Sequence, residues 1–133
     1  MAKYPYFIPS PNVYKSWIRV SLGYKKTHKV TPAAIVALVD SGADVCFCSK
    51  NIGLWLGVQF RKKQEGKFTA ANGTTFQAIK ETITLHVAGK SYDCPFYFSD
   101  ELPHVTPVIL GQRGFFDHFK ITFDLKNKEI EIV

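Results

Sequence analysis

Several features common to membrane, secreted and metal-binding proteins are missing from this chain. No apolar run approaches the roughly 20 residues that cross a membrane. The amino terminus, residues 1–9, lacks the sustained apolar segment of a signal peptide. The three cysteines are an odd number and do not make a disulfide framework. Together these absences favour a reducing compartment, and we expect a cytoplasmic protein with no membrane contact.

Metal-ligand spacing is also missing. Cys46 and Cys48 would share one face of a strand, but a closed metal site needs four ligands and no further suitably spaced residues accompany them. The four histidines show no ligand spacing either. We therefore expect buried free thiols, no metal and no cofactor.

Acidic residues are fewer than basic ones. The 17 Lys and Arg against 11 Asp and Glu give a formal net charge of +6. The basic residues are scattered, and their two clusters, at 25–29 and 61–63, fall where exposed turns are expected. We predict solvated loop charge and no nucleic-acid partner. The alternative, a basic nucleic-acid binder, predicts retention on a polyanion that salt abolishes steeply.

The chain is long enough for one domain and apolar enough to form a core. It has 133 residues, of which 46% are hydrophobic and 14% aromatic. Residues 1–12 carry three prolines and are predicted to form an extended arm, which packs along the domain or reaches a partner subunit. Residues 13–133 are predicted to form a single domain.

Short strands dominate the pattern of apolar residues. Two short helices are expected, at 50–56 between Ser49 and Gly57, and at 112–119. Asn72-Gly73 is the strongest hairpin signal, because these residues supply the positive φ angles of a tight turn. The fold class is therefore all-β, a small closed barrel or sandwich. Strands are predicted at 13–22, 29–31, 34–39, 45–48, 58–61, 68–71, 74–78, 83–87, 92–98, 108–110, 120–125 and 129–133.

One stretch organises the chain: the apolar run 34–39 leads directly into Asp40-Ser41-Gly42-Ala43. The run is typical of a strand buried on both faces. A carboxylate at the mouth of such a strand costs free energy to ionise, so its presence suggests a function. The plain alternative is a turn, because Asp and Ser bond their own backbone and Gly permits a sharp bend. A serine nucleophile elbow is excluded, since Val39 stands where that motif needs glycine.

A second apolar run also ends in glycine, at Ile109-Leu110-Gly111, and a helix-like segment follows it. Together the two motifs resemble the retropepsin family of aspartic proteases. The tail 114–124 is similar to the end of the bacterial retropepsin-like subgroup. The resemblance covers about residues 18–133 and implies a closed β-barrel of retropepsin (acid protease) type.

The resemblance implies a catalytic role for Asp40. The chain carries one such motif, so the family pattern implies a homodimer in which one Asp40 from each subunit forms the catalytic pair. Ser41 would bond across the two-fold axis, and Gly42 would let the two backbones approach. Ala43 and Asp44 would line the cleft.

Two further features follow from the resemblance. Viral members pair the aspartate that corresponds to Asp44 with an arginine directly after the second motif's glycine. Here that position is Gln112, and Arg113 comes one later, so either an Asp44–Arg113 ion pair forms or the two are merely solvated. The predicted hairpin would be the flap that closes over an extended peptide, with the alternative of an ordinary exposed hairpin. Its tip residues are Ala71, Asn72, Gly73 and Thr74.

The function predicted in this way is hydrolysis of peptide bonds in peptide or protein substrates, preferably beside apolar side chains. The alternative is a dimeric binding or adaptor module that keeps the fold without useful peptidase activity. The intact Asp-Ser-Gly-Ala motif argues against that alternative. A strict monomer could not assemble the catalytic pair, so the oligomeric state discriminates between the two.

Overall fold

The computed structural model describes residues 1–60, 65–69, 73 and 75–133. Its helix is α1 (Lys50–Leu56). Its strands are β1 (Ala2–Pro5), β2 (Phe7–Ser10), β3 (Val13–Lys15), β4 (Trp17–Tyr24), β5 (Lys29–Val30), β6 (Ile35–Val39), β7 (Cys46–Ser49), β8 (Glu65–Thr69), β9 (Thr75–Val87), β10 (Lys90–Ser99), β11 (Val108–Leu110), β12 (Ile121–Asp124) and β13 (Glu129–Ile132).

Six strands close into a barrel, in the order β4-β6-β11-β7-β10-β9, because β9 also pairs with β4. β5 extends the sheet beside β4, and β8 extends it beside β9. β11 runs parallel to β6 on one side and antiparallel to β7 on the other. The predicted all-β closed barrel is confirmed.

The alternating pattern of β4 explains how the barrel is filled. Ile18, Val20 and Leu22 are buried, as their spacing of two residues predicts for one face of a strand. In β6, Ala37 and Val39 are buried, whereas the three residues between and before them are only half-buried. The prediction that this strand is buried on both faces is therefore wrong for one face, which no second layer covers completely.

The two ends of the chain form a separate three-stranded sheet in the order β1-β13-β12. β1 runs antiparallel to β13, with Tyr4 opposite Ile130, so the first residues are held by the last ones. The rest of the predicted arm does not stay extended and alone. β2 turns back and pairs with β3 to form a two-stranded sheet, here called the N-terminal hairpin (Phe7–Lys15).

The predicted helix at 50–56 is confirmed, and Gly57 ends it in the left-handed conformation with φ of 91°. Ser49 precedes it without a side-chain capping bond. The predicted helix at 112–119 is wrong. This segment consists of turns, in which the N–H groups of Phe116 and Asp117 each reach back five residues to a carbonyl.

Two other predictions need correction. No strand covers 58–60, and Arg61 lies outside the described residues. The strand predicted at 68–71 begins earlier, because Glu65 and Gly66 belong to β8, opposite Ile79 and Ala78. Pairing with β9 therefore extends this hairpin further toward the barrel than predicted.

Candidate active site

Asp40 lies directly after β6, where the ends of two parallel strands meet. Its backbone N–H donates to the carbonyl of Leu110 at the end of β11, at 3.0 Å. The side chain is half-buried. Its Oδ1 accepts a hydrogen bond from the N–H of Gly42 at 2.9 Å. The turn interpretation is thus realised in the structure, and the same turn gives the carboxylate a defined orientation.

The second motif holds the loop that follows Asp40. The N–H of Gln112 donates to the carbonyl of Ala43 at 2.8 Å, and its side-chain Nε2 donates to the carbonyl of Ser41 at 2.7 Å. The N–H of Arg113 donates to the carbonyl of Asp44 at 3.0 Å. Two segments far apart in sequence therefore form one unit. We call residues 40–44 the Asp40 loop.

Gly111 makes this contact possible. A Cβ added there would clash with the carbonyl oxygen of Val45 and lie 2.6 Å from that of Ala43. Both obstacles are backbone atoms, which cannot rotate away as a side chain does. Only glycine lets β11 approach the loop so closely, which gives the glycine of the second motif a physical reason.

A third element, the start of β4, supports the same strand end. Val39 donates its N–H to the carbonyl of Ser16 at 2.9 Å, and the Ser16 hydroxyl donates to the carbonyl of Val39 at 3.0 Å. Trp17 faces Leu38 in the next register position. Sequence reasoning missed Ser16 as a support. The available signal was a single polar residue between the short run 13–15 and the apolar alternation of β4.

The outer side of the Asp40 loop is open to solvent. Ser41, Gly42 and Asp44 are exposed, and Ala43 is half-buried. The loop is thus held from behind through its backbone, while the side of the turn away from the barrel is free to meet another molecule.

Asp44 and Arg113 are brought together by their backbones. Besides the hydrogen bond above, Val45 and Arg113 form an isolated parallel bridge. Among the ion pairs of the described residues, none joins the carboxylate of Asp44 to the guanidinium of Arg113. Gln112 occupies the first position after Gly111 and uses its side chain to hold the loop.

Three free thiols lie behind the site and are fully buried, as predicted: Cys46, Cys48 and Cys94. The hydrogen bond between Cys46 and Cys94, with burial adding to it, raises the pKa of Cys94, and the same bond lowers the pKa of Cys46. Burial raises the pKa of Cys48. The N–H of Gly111 donates to the sulfur of Cys46 at 3.3 Å. These thiols pack behind the second motif and are closed to solvent, so they support the site structurally.

The hairpin predicted as the flap is formed by β8 and β9, with Phe68 opposite Phe76 and Thr69 opposite Thr75. Gly73 has a φ of 86°, as a tight turn requires. The other predicted tip residues, Ala71, Asn72 and Thr74, lie outside the described residues.

Two features are absent from the described part of the chain. Within residues 1–60, 65–69, 73 and 75–133, no group of three or more His, Cys, Asp or Glu is placed to hold a metal ion. Over the same ranges no helix is long and apolar enough to cross a membrane.

No protein-family model and no curated protein matches the sequence. Solved structures do match. A retropepsin-like aspartic protease from Rickettsia conorii has a TM-score of 0.65 at 18% identity, over 100% of this chain and 99% of that one. The retroviral protease-like domain of Ddi1 from Leishmania major has a TM-score of 0.59 at 16% identity, over 92% and 96%. EIAV protease in complex with the inhibitor HBY-793 has a TM-score of 0.56 at 17% identity, over 79% and 88%. The barrel, the paired motifs and these matches together show that the chain has the fold of the retropepsin-like aspartic proteases.

Proposed function

We propose that this chain is an aspartic endopeptidase that acts as a homodimer. The observation that carries the proposal is the position of Asp40. Its carboxylate lies directly after β6, in a solvent-facing loop held by β4, β6 and β11, and its orientation is set by the N–H of Gly42. Proteins that share this fold include aspartic proteases.

The chemistry needs two carboxylates at close range. Two like charges that near cannot both ionise, so one carboxyl keeps a proton. The ionised partner then takes a proton from the attacking water, and the protonated one polarises the peptide carbonyl. Such a mechanism needs no cofactor. Each chain contributes one Asp40, so a second copy must supply the other carboxylate.

The Asp40 loop suits such an assembly. Its backbone is held from behind by Gln112 and Arg113, so the carboxylate is positioned before the partner arrives. Ser41 is exposed and available to bond across the two-fold axis, and Gly42 adds no side chain between the subunits. Ala43 and Asp44 would line the cleft.

The β8–β9 hairpin is proposed to be the flap. As a two-stranded extension of the barrel, it could close over an extended peptide, exclude water and add backbone hydrogen bonds. The cleft would then accept a peptide or protein segment with apolar side chains. We propose a cytoplasmic location, with neither nucleic acid nor membrane as partner.

The test is cleavage of an unfolded protein mixture across about pH 4 to 7, the range suggested by a dyad that shares a proton. Parent and Asp40→Asn are compared, with Asp100→Asn as the matched control. Asp100 is exposed, and among the described residues its ion pair is with Lys50, at 3.8 Å. We expect cleavage by the parent and by Asp100→Asn, none by Asp40→Asn, and inhibition by a statine-type compound. A dimeric parent that cleaves nothing would refute the peptidase and favour a binding or adaptor module.

A further inference from the structure

The N-terminal hairpin begins and ends beside the candidate active site. Its second strand, β3, ends at Lys15, and Ser16 then bonds to Val39 at the end of β6. The hairpin therefore leaves the barrel next to the strand end that carries Asp40. At its own base, Phe7 pairs with Lys15, and the Phe7 ring stacks on Trp17 with 5.0 Å between ring centroids.

Apolar side chains on this hairpin face solvent. Phe7 is 48% exposed, Ile8 46% and Val13 37%. All four residues of β2 are exposed, even though Phe7 stacks on Trp17 and the strand pairs with β3. A two-stranded sheet is marginally stable in water and needs packing against something else. The hairpin therefore presents an apolar surface that is incomplete in the single chain. Successive side chains of a strand point to opposite faces, so Ile8 lies on the face away from Phe7, which stacks on Trp17. Val13 is opposite Ser10, two residues from Ile8. We call Ile8 and Val13 the hairpin patch.

The hairpin is better suited to side-chain contact than to strand addition. Pro9 lies within β2 and Pro11 in the turn, and neither has an N–H to donate to a further strand. β1 is already paired along its length with β13 of the same chain. A partner would thus pack on the exposed side chains of the hairpin patch.

The proposed function identifies the partner, and the following inference rests on it. Two Asp40 carboxylates that share a proton lie about 3 Å apart, so the two Asp40 loops meet at a two-fold axis. The N-terminal hairpin leaves the barrel beside Asp40, so it must then lie close to the second subunit. We propose that a second copy of this chain packs on the hairpin patch and that burial of the patch helps to bring the two Asp40 residues together.

The charge of the hairpin fits a contact between identical copies. Lys15 is its only charged residue, so the patch brings little repulsion of its own. Each whole chain carries a formal charge of +6, which opposes association at low ionic strength. Salt screens this repulsion and leaves apolar contact intact, so added salt should strengthen the dimer.

The test measures the dimer dissociation constant of the full chain by sedimentation equilibrium, at low and moderate salt. The variants are Ile8→Ser with Val13→Ser, and Ile8→Glu alone. The control is Phe123→Ser with Leu125→Ser, which removes two apolar side chains that are 41% and 53% exposed at the other end of the chain. Since the double variant keeps the stack of Phe7 on Trp17, near-ultraviolet circular dichroism checks its fold. The substitution at Ile8 changes a half-exposed side chain and keeps that stack.

We expect a parent dimer that salt strengthens, a dissociation constant raised about tenfold or more by both hairpin variants, and no change in the control. Dimerisation that the hairpin variants leave unchanged would overturn the proposal, as would a parent that stays monomeric. A patch that binds substrate and no second copy would raise KM in Ile8→Glu while leaving the dissociation constant unchanged. The peptidase assay separates the two proposals. If the hairpin variants weaken the dimer but the dimeric parent cleaves nothing, the proposed function alone is refuted. If the parent is an active dimer and the hairpin variants leave its dissociation constant unchanged, this inference alone is refuted.

Discussion

Replacing Gly111 with alanine tests whether the two motifs depend on the close approach seen between them. The new Cβ would clash with the carbonyl oxygen of Val45 and lie 2.6 Å from that of Ala43. Neither atom can move without shifting the Asp40 loop or β7. The substitution should therefore destabilise the fold and displace the loop that carries the carboxylate.

The magnitude follows from two opposing effects. Overpacking a well-packed site costs about 1–3 kcal/mol, and backbone obstacles place this site at about 3 kcal/mol. Alanine also restricts the unfolded chain, which returns about 0.4–1 kcal/mol where the native backbone suits it. Gly111 has no positive φ, so this compensation applies. The net loss in the free energy of unfolding should be about 2 kcal/mol.

Urea unfolding measures this loss as a lower midpoint at an unchanged slope. Gly23→Ala is the matched control, because a Cβ there meets the nearest side-chain atoms of His86 and Val30 at 3.4 Å, in ordinary contact. Gly23 has no positive φ either, so the control should leave stability unchanged or raise it by up to about 1 kcal/mol. An equal midpoint for Gly111→Ala and the parent would refute the reasoning.

Two predictions concern pH. Burial, with the hydrogen bond to Glu81 adding to it, raises the pKa of Tyr24 from 10.0 to about 12. The folded state holds this proton more tightly, so its stabilisation is complete below pH 10 and is lost as pH rises through about 12. The free energy of unfolding of Tyr24→Phe should therefore fall less than that of the parent across this window, and equal slopes would contradict the prediction. Partial burial opposes ionisation of Asp117, but hydrogen bonds from the His118 ring and the Gly114 N–H outweigh it and lower the pKa of Asp117 from 3.8. This stabilisation is present above pH 3.8 and is lost as pH falls through the lower folded pKa, so an acid titration should destabilise Asp117→Asn less than the parent.

The sequence predicted those helices and strands whose ends are determined by the residue that stands there. The helix 50–56 ends at Gly57 because glycine adopts the left-handed conformation there. The strand 108–110 ends at Gly111, whose missing side chain admits the Asp40 loop. In both cases the residue that determines the structure stands next to the element, so the pattern was sufficient.

Features decided by distant contacts were not predictable in the same way. The segment 112–119 has helical spacing, but Gly114 adopts a φ of 106°, and its carbonyl accepts the Tyr92 hydroxyl at 2.6 Å. The prolines of residues 1–12 indicated an extended arm and gave no sign that β1 would pair with β13. The resemblance to viral retropepsins left open whether Asp44 and Arg113 form an ion pair or are merely solvated, because the outcome depends on how the chain turns after Gly111.

The central claim is that the catalytic pair is shared between two chains. It is tested most directly by mixing parent with Asp40→Asn at constant total concentration, with time for the subunits to exchange. If both chains contribute one carboxylate, activity should follow the square of the parent fraction and fall to about a quarter in an equal mixture. Activity that falls in simple proportion to the parent fraction would show that each chain contains its own complete site and would contradict the account.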